Sequence, residues 1–126
     1  MWLYHATFRR NIASIREMGL GAKQKKNWDI SMNNVVCLAL DPAEANDYCE
    51  CAEDVSDSVY ESGIVVFAVN TKDLNRQRLM QDPNLRDVES YIYQGIIPSD
   101  KLYVITDTKG IVGKLSEVKR VPAFYR

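Results

Sequence analysis

The chain contains one histidine, His5, in the run Leu3-Tyr4-His5-Ala6-Thr7. An imidazole held in a fixed position can donate to a ribose hydroxyl, and Thr7 adds a second hydroxyl donor two residues on. Ala6 between them is small enough to let a ligand approach the main chain. Tyr48, in Asn46-Asp47-Tyr48-Cys49, offers a flat surface on which a planar ring can stack. Glu89, ahead of Ser90-Tyr91-Ile92-Tyr93, offers a carboxylate that can stabilise positive charge developing on a ligand or accept from a hydroxyl. Taken singly, each has a plainer reading: a structural histidine, a packed aromatic, and one exposed acid among 17 acidic residues. The three gain weight only if the elements carrying them converge.

Those elements can be read from pattern. Trp2 to Thr7 is aromatic and apolar and reads as a strand. Asn11 can cap the helix that follows, with Ile12, Ile15 and Met18 with Leu20 as its apolar stripe and Gly19 and Gly21 as its stop. Residues 22–34, polar and lysine-rich, read as a loop with room for one short strand at Trp28 and Ile30. Val35 to Leu40 is a near-continuous apolar run and reads as a buried strand. Asp41-Pro42 opens a second helix, with Asp41 as N-cap, Pro42 at the first helical position and Glu44 three residues after the cap. That helix should reach about Cys51 and turn Ala45, Tyr48 and Cys49 inward.

Glu53, Asp54 and Asp57 make the stretch up to Gly63 a solvated connection, and Tyr60 within it has weaker context than Tyr48. Ile64 to Val69 is another buried strand, Thr71 to Leu74 a helical turn, and 75–87 an irregular polar loop. Ser90 to Gln94 and Leu102 to Thr106 read as strands, separated by a turn at Gly95 to Asp100. Asp107 to Gly110 is a further turn, and the tail has room for one more strand. Strands outnumber helices and the helices fall in the first half, so the class is α+β.

The 126 residues suit one domain, 1–126. Hydrophobic residues at 46% and charged residues at 26% are ordinary for a globular chain. Sixteen basic against 17 acidic residues, net −1, create no general field for nucleic acid or membrane. A local basic patch is compatible with this balance, because Lys23, Lys25 and Lys26 lie near Arg9 and Arg10 in sequence. No apolar run approaches the ~20 residues of a membrane helix, and no secretory signal is visible, so a cytoplasmic location is expected. Cys37, Cys49 and Cys51 form no CxxC and have no nearby histidine, which argues against a metal site and for buried or half-buried free thiols.

In this order, the three segments resemble the H-Y-E pattern of the ADP-ribosyltransferase superfamily, in its poly(ADP-ribose) polymerase-like branch. Leu3-Tyr4-His5-Ala6-Thr7, followed by Ile12, Ile15 and Gly19-Leu20, resembles that family's histidine strand and the helix behind it. Val36-Cys37-Leu38-Ala39-Leu40-Asp41-Pro42 through Asp47-Tyr48-Cys49 is similar to the strand and helix that bring in the nicotinamide-stacking tyrosine. Glu89-Ser90-Tyr91-Ile92-Tyr93 with Gly95-Ile96-Ile97-Pro98 is similar to the glutamate strand and its following turn. Ile64 to Leu74 fits the central strand and turn. The resemblance spans roughly residues 2–106.

The resemblance implies a split, curved β-sheet with helices packed beside it, which binds NAD as substrate without a Rossmann glycine loop; no G-x-G-x-x-G occurs here. It further implies that His5 hydrogen-bonds the adenosine ribose and Ala6 holds the nicotinamide amide through its main chain. Thr7 would contact the nicotinamide ribose, Tyr48 would stack on nicotinamide, and Glu89 would be catalytic, stabilising the oxocarbenium-like transition state. Transfer to a macromolecular acceptor, protein or nucleic acid, would follow.

The chain departs from the pattern twice. Ala6 stands where the family has glycine, and counting back from Pro98 lets Ser90 take the position of Glu89. Strand alternation puts those two on opposite faces, and a serine there implies a non-catalytic or degenerate NAD-binding or interaction domain. A related RNA 2′-phosphotransferase is a further alternative, although its set of phosphate-gripping arginines is not evident. DNA-modifying ADP-ribosyltransferase toxins share a similar opening.

Overall fold

In a computed structural model, the described residues are 1–21, 35–50, 63–81, 90–106 and 110–124; for Tyr48 and Glu50 this covers the main chain only. Seven strands form one antiparallel sheet: β1 (Trp2–Phe8), β2 (Val35–Ala39), β3 (Ile64–Asn70), β4 (Leu79–Gln81), β5 (Ser90–Gln94), β6 (Tyr103–Thr106) and β7 (Gly110–Lys114). Their order is β4-β5-β2-β1-β3-β6-β7, so the first strand of the chain lies at the centre. Two helices, α1 (Ile12–Met18) and α2 (Pro42–Glu50), accompany it. The architecture is single-domain α+β, as expected.

Period-2 alternation sorts the side chains onto two faces. One face collects Leu3, Val36, Leu38, Val65, Phe67, Val69, Tyr93 and Val104, and α1 covers it with Ile12 and Ile15. The other collects Ala6, Phe8, Ala39, Ile64, Val66, Ala68 and Ile105, and α2 covers it with Ala45 and Cys49. Because β3 is covered on both sides, all of Ile64 to Val69 is buried, which accounts for its unbroken apolar run. The small side chains of Ala6, Ala39 and Ala68 are what let α2 pack closely.

Local chemistry accounts for both helices. The Asp41 carboxylate accepts from the Ala43 amide at 2.7 Å, the expected N-cap bond. Asn11 occupies the N-cap position of α1, but its side chain makes no capping bond. It donates instead to the Thr7 hydroxyl at 2.9 Å, fastening the helix to the strand before it. Gly19 ends α1 with φ +83° while its N–H reaches the Ile15 carbonyl at 2.8 Å. A Cβ there would lie 2.7 Å from Ile96 Cγ2 and 2.9 Å from the Ile97 carbonyl oxygen, so both φ and space require glycine.

Three readings of the sequence are corrected. Met18 is 39% exposed rather than part of the buried stripe, because the chain turns at Gly19 and Leu20 supplies the buried contact instead. Cys37 is exposed, since alternation points it away from the Val36 and Leu38 face; Cys49 is buried as expected. Residues 76–81 are not irregular: a 3-10 turn at Arg76–Arg78 leads into β4, an edge strand whose short length and polar surroundings hide it from pattern reading. The readings made on 22–34 (with Lys23, Lys25 and Lys26), on 51–62 (with Cys51 and Tyr60), on 82–89 and on 107–109 lie outside the described residues. Among the described residues no helix is long and apolar enough to cross a membrane, and no group of three or more His, Cys, Asp or Glu is placed to hold a metal.

Candidate functional site

The sheet has one weak junction. β1 is matched to β3 along all seven of its residues, and β2 to β5 along all five of its own. Between β1 and β2 only one pair is matched, Tyr4 with Ala39. Beyond that pair β1 continues through His5 to Phe8 while β2 runs back through Leu38 to Val35, and the two strands part. His5 is the first residue of β1 past the matched pair.

Its imidazole bridges the junction. His5 Nδ1 donates to the Cys37 carbonyl on β2 at 2.8 Å. A carbonyl oxygen only accepts, so Nδ1 carries the proton, and in the neutral ring Nε2 keeps a lone pair. Burial pulls the pKa below the ordinary histidine value, and the bond to Cys37, which favours the charged ring, offsets this only in part. The residue as a whole is half-buried. The arrangement yields a neutral imidazole of fixed tautomer whose remaining nitrogen accepts. A hydroxyl that meets Nε2 must therefore donate to it, the reverse of the donor role the residue type first suggests.

The neighbours of His5 divide by face. Thr7 shares its face but is 4% exposed, and its hydroxyl accepts the bond from Asn11. A Thr7 hydroxyl so engaged still has its own proton to give. Ala6 is 6% exposed on the opposite face, under α2 and opposite Val66 of β3. Tyr48 belongs to α2, which packs on β1 and β3; its side chain is outside the described residues.

Ser90 begins β5 opposite Ala39, which in turn faces Tyr4 of β1. These three form one row across the sheet, so the start of β5 lies two strands from the residue preceding His5. Ser90 is 3% exposed, on the α2 face, and its hydroxyl has no hydrogen-bond partner among the described residues. Alternation therefore puts Ser90 and His5 on opposite faces of the sheet. Glu89 lies outside the described residues.

The order β5-β2-β1 makes the strands of Ser90, Cys37 and His5 neighbours, but α2, which carries Tyr48, packs on the face opposite His5, so the structure does not bring that helix and the imidazole to one face. What sequence reading missed is a main-chain atom. The Cys37 carbonyl fixes the imidazole, and no side-chain signal announces it. The chain matches no protein-family model, no curated protein and no solved structure.

Proposed function

We propose that the chain is an NAD-dependent ADP-ribosyltransferase with the split-sheet fold of that superfamily, releasing nicotinamide and transferring ADP-ribose to a macromolecular acceptor. The observation that carries this reading is His5 at the single-pair junction of β1 and β2, neutral, with its tautomer set by the Cys37 carbonyl. The fit to NAD is good at that atom, because a lone pair on Nε2 suits a donating ribose hydroxyl. The Ala6 methyl turns under α2 rather than along the His5 face, so the departure from glycine adds no bulk beside the imidazole.

In this reading His5 accepts from the adenosine ribose, the Ala6 main chain holds the carboxamide and Tyr48 stacks on the nicotinamide ring. Thr7 gives its remaining proton to the second ribose. Glu89 accepts from the 2′-hydroxyl of that ribose and stabilises positive charge as the C1′–N bond breaks. Nicotinamide leaves with the bonding electron pair, and the acceptor nucleophile then attacks C1′ and loses its proton. A carboxylate placed beside a developing cation accounts for ~10²–10³ in rate for one such group.

The test is nicotinamide release from NAD by the purified chain and its variants. Glu89→Gln is expected to lose ~10²–10³ in rate while Ser90→Ala keeps it. Equal rates for wild type and Glu89→Gln refute the catalytic assignment. Absence of any release, with NAD still raising the melting temperature, leaves the non-catalytic NAD-binding reading in its place. With NAD at ~100 times its dissociation constant the gain is about 2.7 kcal/mol, and His5→Ala should abolish it.

A further inference from the structure

Three arginines near the end of β1 are immobilised in a way that exposed arginines usually are not. Arg9 Nη1 donates to the Val121 carbonyl at 2.6 Å. Arg16 Nη2 donates to the Val118 carbonyl, and to the Lys119 carbonyl at 3.3 Å. The Arg10 guanidinium lies 5.5 Å from the centre of the Phe8 ring. These contacts tie the C-terminal stretch 118–121 to α1 and to the 3-10 turn Arg9–Asn11 before it, which sets the main chain of Lys119 beside Arg16. Arg10, Arg16, Lys119 and Arg120 are all exposed, and none is in an ion pair among the described residues.

The charge of this surface runs against that of the chain. Residues 9–18 carry three arginines against one glutamate, and 116–121 a lysine and an arginine against one glutamate, a net +3 where the whole chain is −1. Met18 is the one large apolar side chain exposed within 9–18, and none is exposed between 116 and 120. A protein partner would need more apolar or aromatic anchoring than one methionine, whereas a phosphodiester backbone needs only positioned cations. Guanidinium forks match phosphate oxygens, and their fixed placement lowers the entropy lost on binding.

We infer that the basic residues at this end of the sheet, Arg16, Lys119 and Arg120 with Arg10 on the side of Phe8, dock the backbone of a nucleic acid. Arg9 follows β1 directly, four residues from His5, or about 13 Å of extended chain. A bound strand therefore lies beside the end of β1 toward which the β1–β2 junction opens. That the bound nucleic acid is the ADP-ribose acceptor rests on the transferase reading; that it binds does not.

The experiment measures fluorescence anisotropy of a labelled single-stranded oligonucleotide with the full chain between about 50 and 200 mM salt. The variant carries Arg10→Glu, Lys119→Glu and Arg120→Glu, which spares the carbonyl ties made by Arg9 and Arg16. Wild-type affinity is expected to fall with salt, and loss of three phosphate contacts should flatten the log–log slope by about 2, at about 0.7 per contact. The melting temperature and acceptor-independent nicotinamide release should stay at wild-type values, which certifies the fold. No salt-dependent binding by wild type, an unchanged slope in the variant, or equal competition by polyglutamate overturns the proposal. Oligonucleotide binding without nicotinamide release retains this surface and sinks the transferase reading; release without binding does the opposite.

Discussion

Lowering the pH should destabilise this chain through one identifiable proton. His5 is the only histidine, so imidazole uptake between about pH 5 and 7 belongs to it alone. In the unfolded chain it titrates near the ordinary value of about 6.5. In the folded chain burial holds it lower, the Cys37 hydrogen bond opposing only in part. Between the two pKa values the unfolded state carries a proton that the folded state refuses. Stability is then full above about pH 6.5, falls as the pH drops from there through the folded pKa, and levels off below it. A single proton limits the slope to about 1.4 kcal/mol per pH unit.

Two measurements check this. Proton NMR of the single Cε1–H gives the folded pKa directly. Urea unfolding over the same pH range gives stability for wild type and for His5→Asn, whose amide can still reach toward the Cys37 carbonyl without titrating. The wild-type curve should drop below the variant's as the pH falls under about 6.5, because carboxylates common to both cancel in the difference. A folded pKa at or above 6.5, or parallel curves for the two proteins, refutes the argument. A folded pKa above the working pH would further mean that the ring is charged and that Nε2 donates, which would undo the acceptor role assigned to it.

Ser90→Ala should stabilise the fold by about 1 kcal/mol, since it removes a buried hydroxyl without a partner among the described residues; a lower melting temperature would show that the hydroxyl is bonded in solution. Gly19→Ala should cost about 2 kcal/mol or more, from a positive φ and a Cβ placed 2.7 Å from Ile96 Cγ2. Urea midpoints measure it, and a neutral result would mean that the 19–21 turn relaxes away from 96–97. Asp41→Ala should lose about 1 kcal/mol through the 2.7 Å bond to the Ala43 amide, read as a drop in melting temperature; no drop would mean that this cap contributes nothing in water.

Much of the sheet was legible because its strands are apolar on one face or both. Val35–Ala39, Ile64–Asn70 and Ser90–Gln94 stand out as runs, and Asp41-Pro42 marks the second helix by N-cap chemistry that is local to four residues. The order of the strands was not legible. That β1 sits in the middle, between β2 and β3, depends on pairings between residues up to 68 positions apart, such as Thr7 with Val65 and Trp2 with Asn70. β4 escaped notice because three residues at an edge, two of them exposed, leave no periodic trace. Asn11 was readable as a cap by type and position, yet its amide goes to Thr7, since one side chain can satisfy either partner and sequence does not rank them.

For His5 the same division decides the chemistry. Residue type gives an imidazole near small neighbours, and order along the chain adds Tyr48 and Glu89. Neither says which nitrogen is free. That follows from a topological accident of the sheet: β1 matches β3 fully and β2 at one pair, and past that pair the Cys37 carbonyl of β2 accepts the hydrogen bond of the Nδ1–H. A weaker junction of this kind costs the sheet several ladder bonds, each worth roughly 1 kcal/mol net. The single side-chain bond from His5 recovers only part of that cost. A fully zipped β1–β2 ladder would be more stable, but its main-chain bonds would replace the one that orients the ring. The parted strands are thus the structural reason for treating this histidine, rather than any exposed polar residue, as the centre of the site.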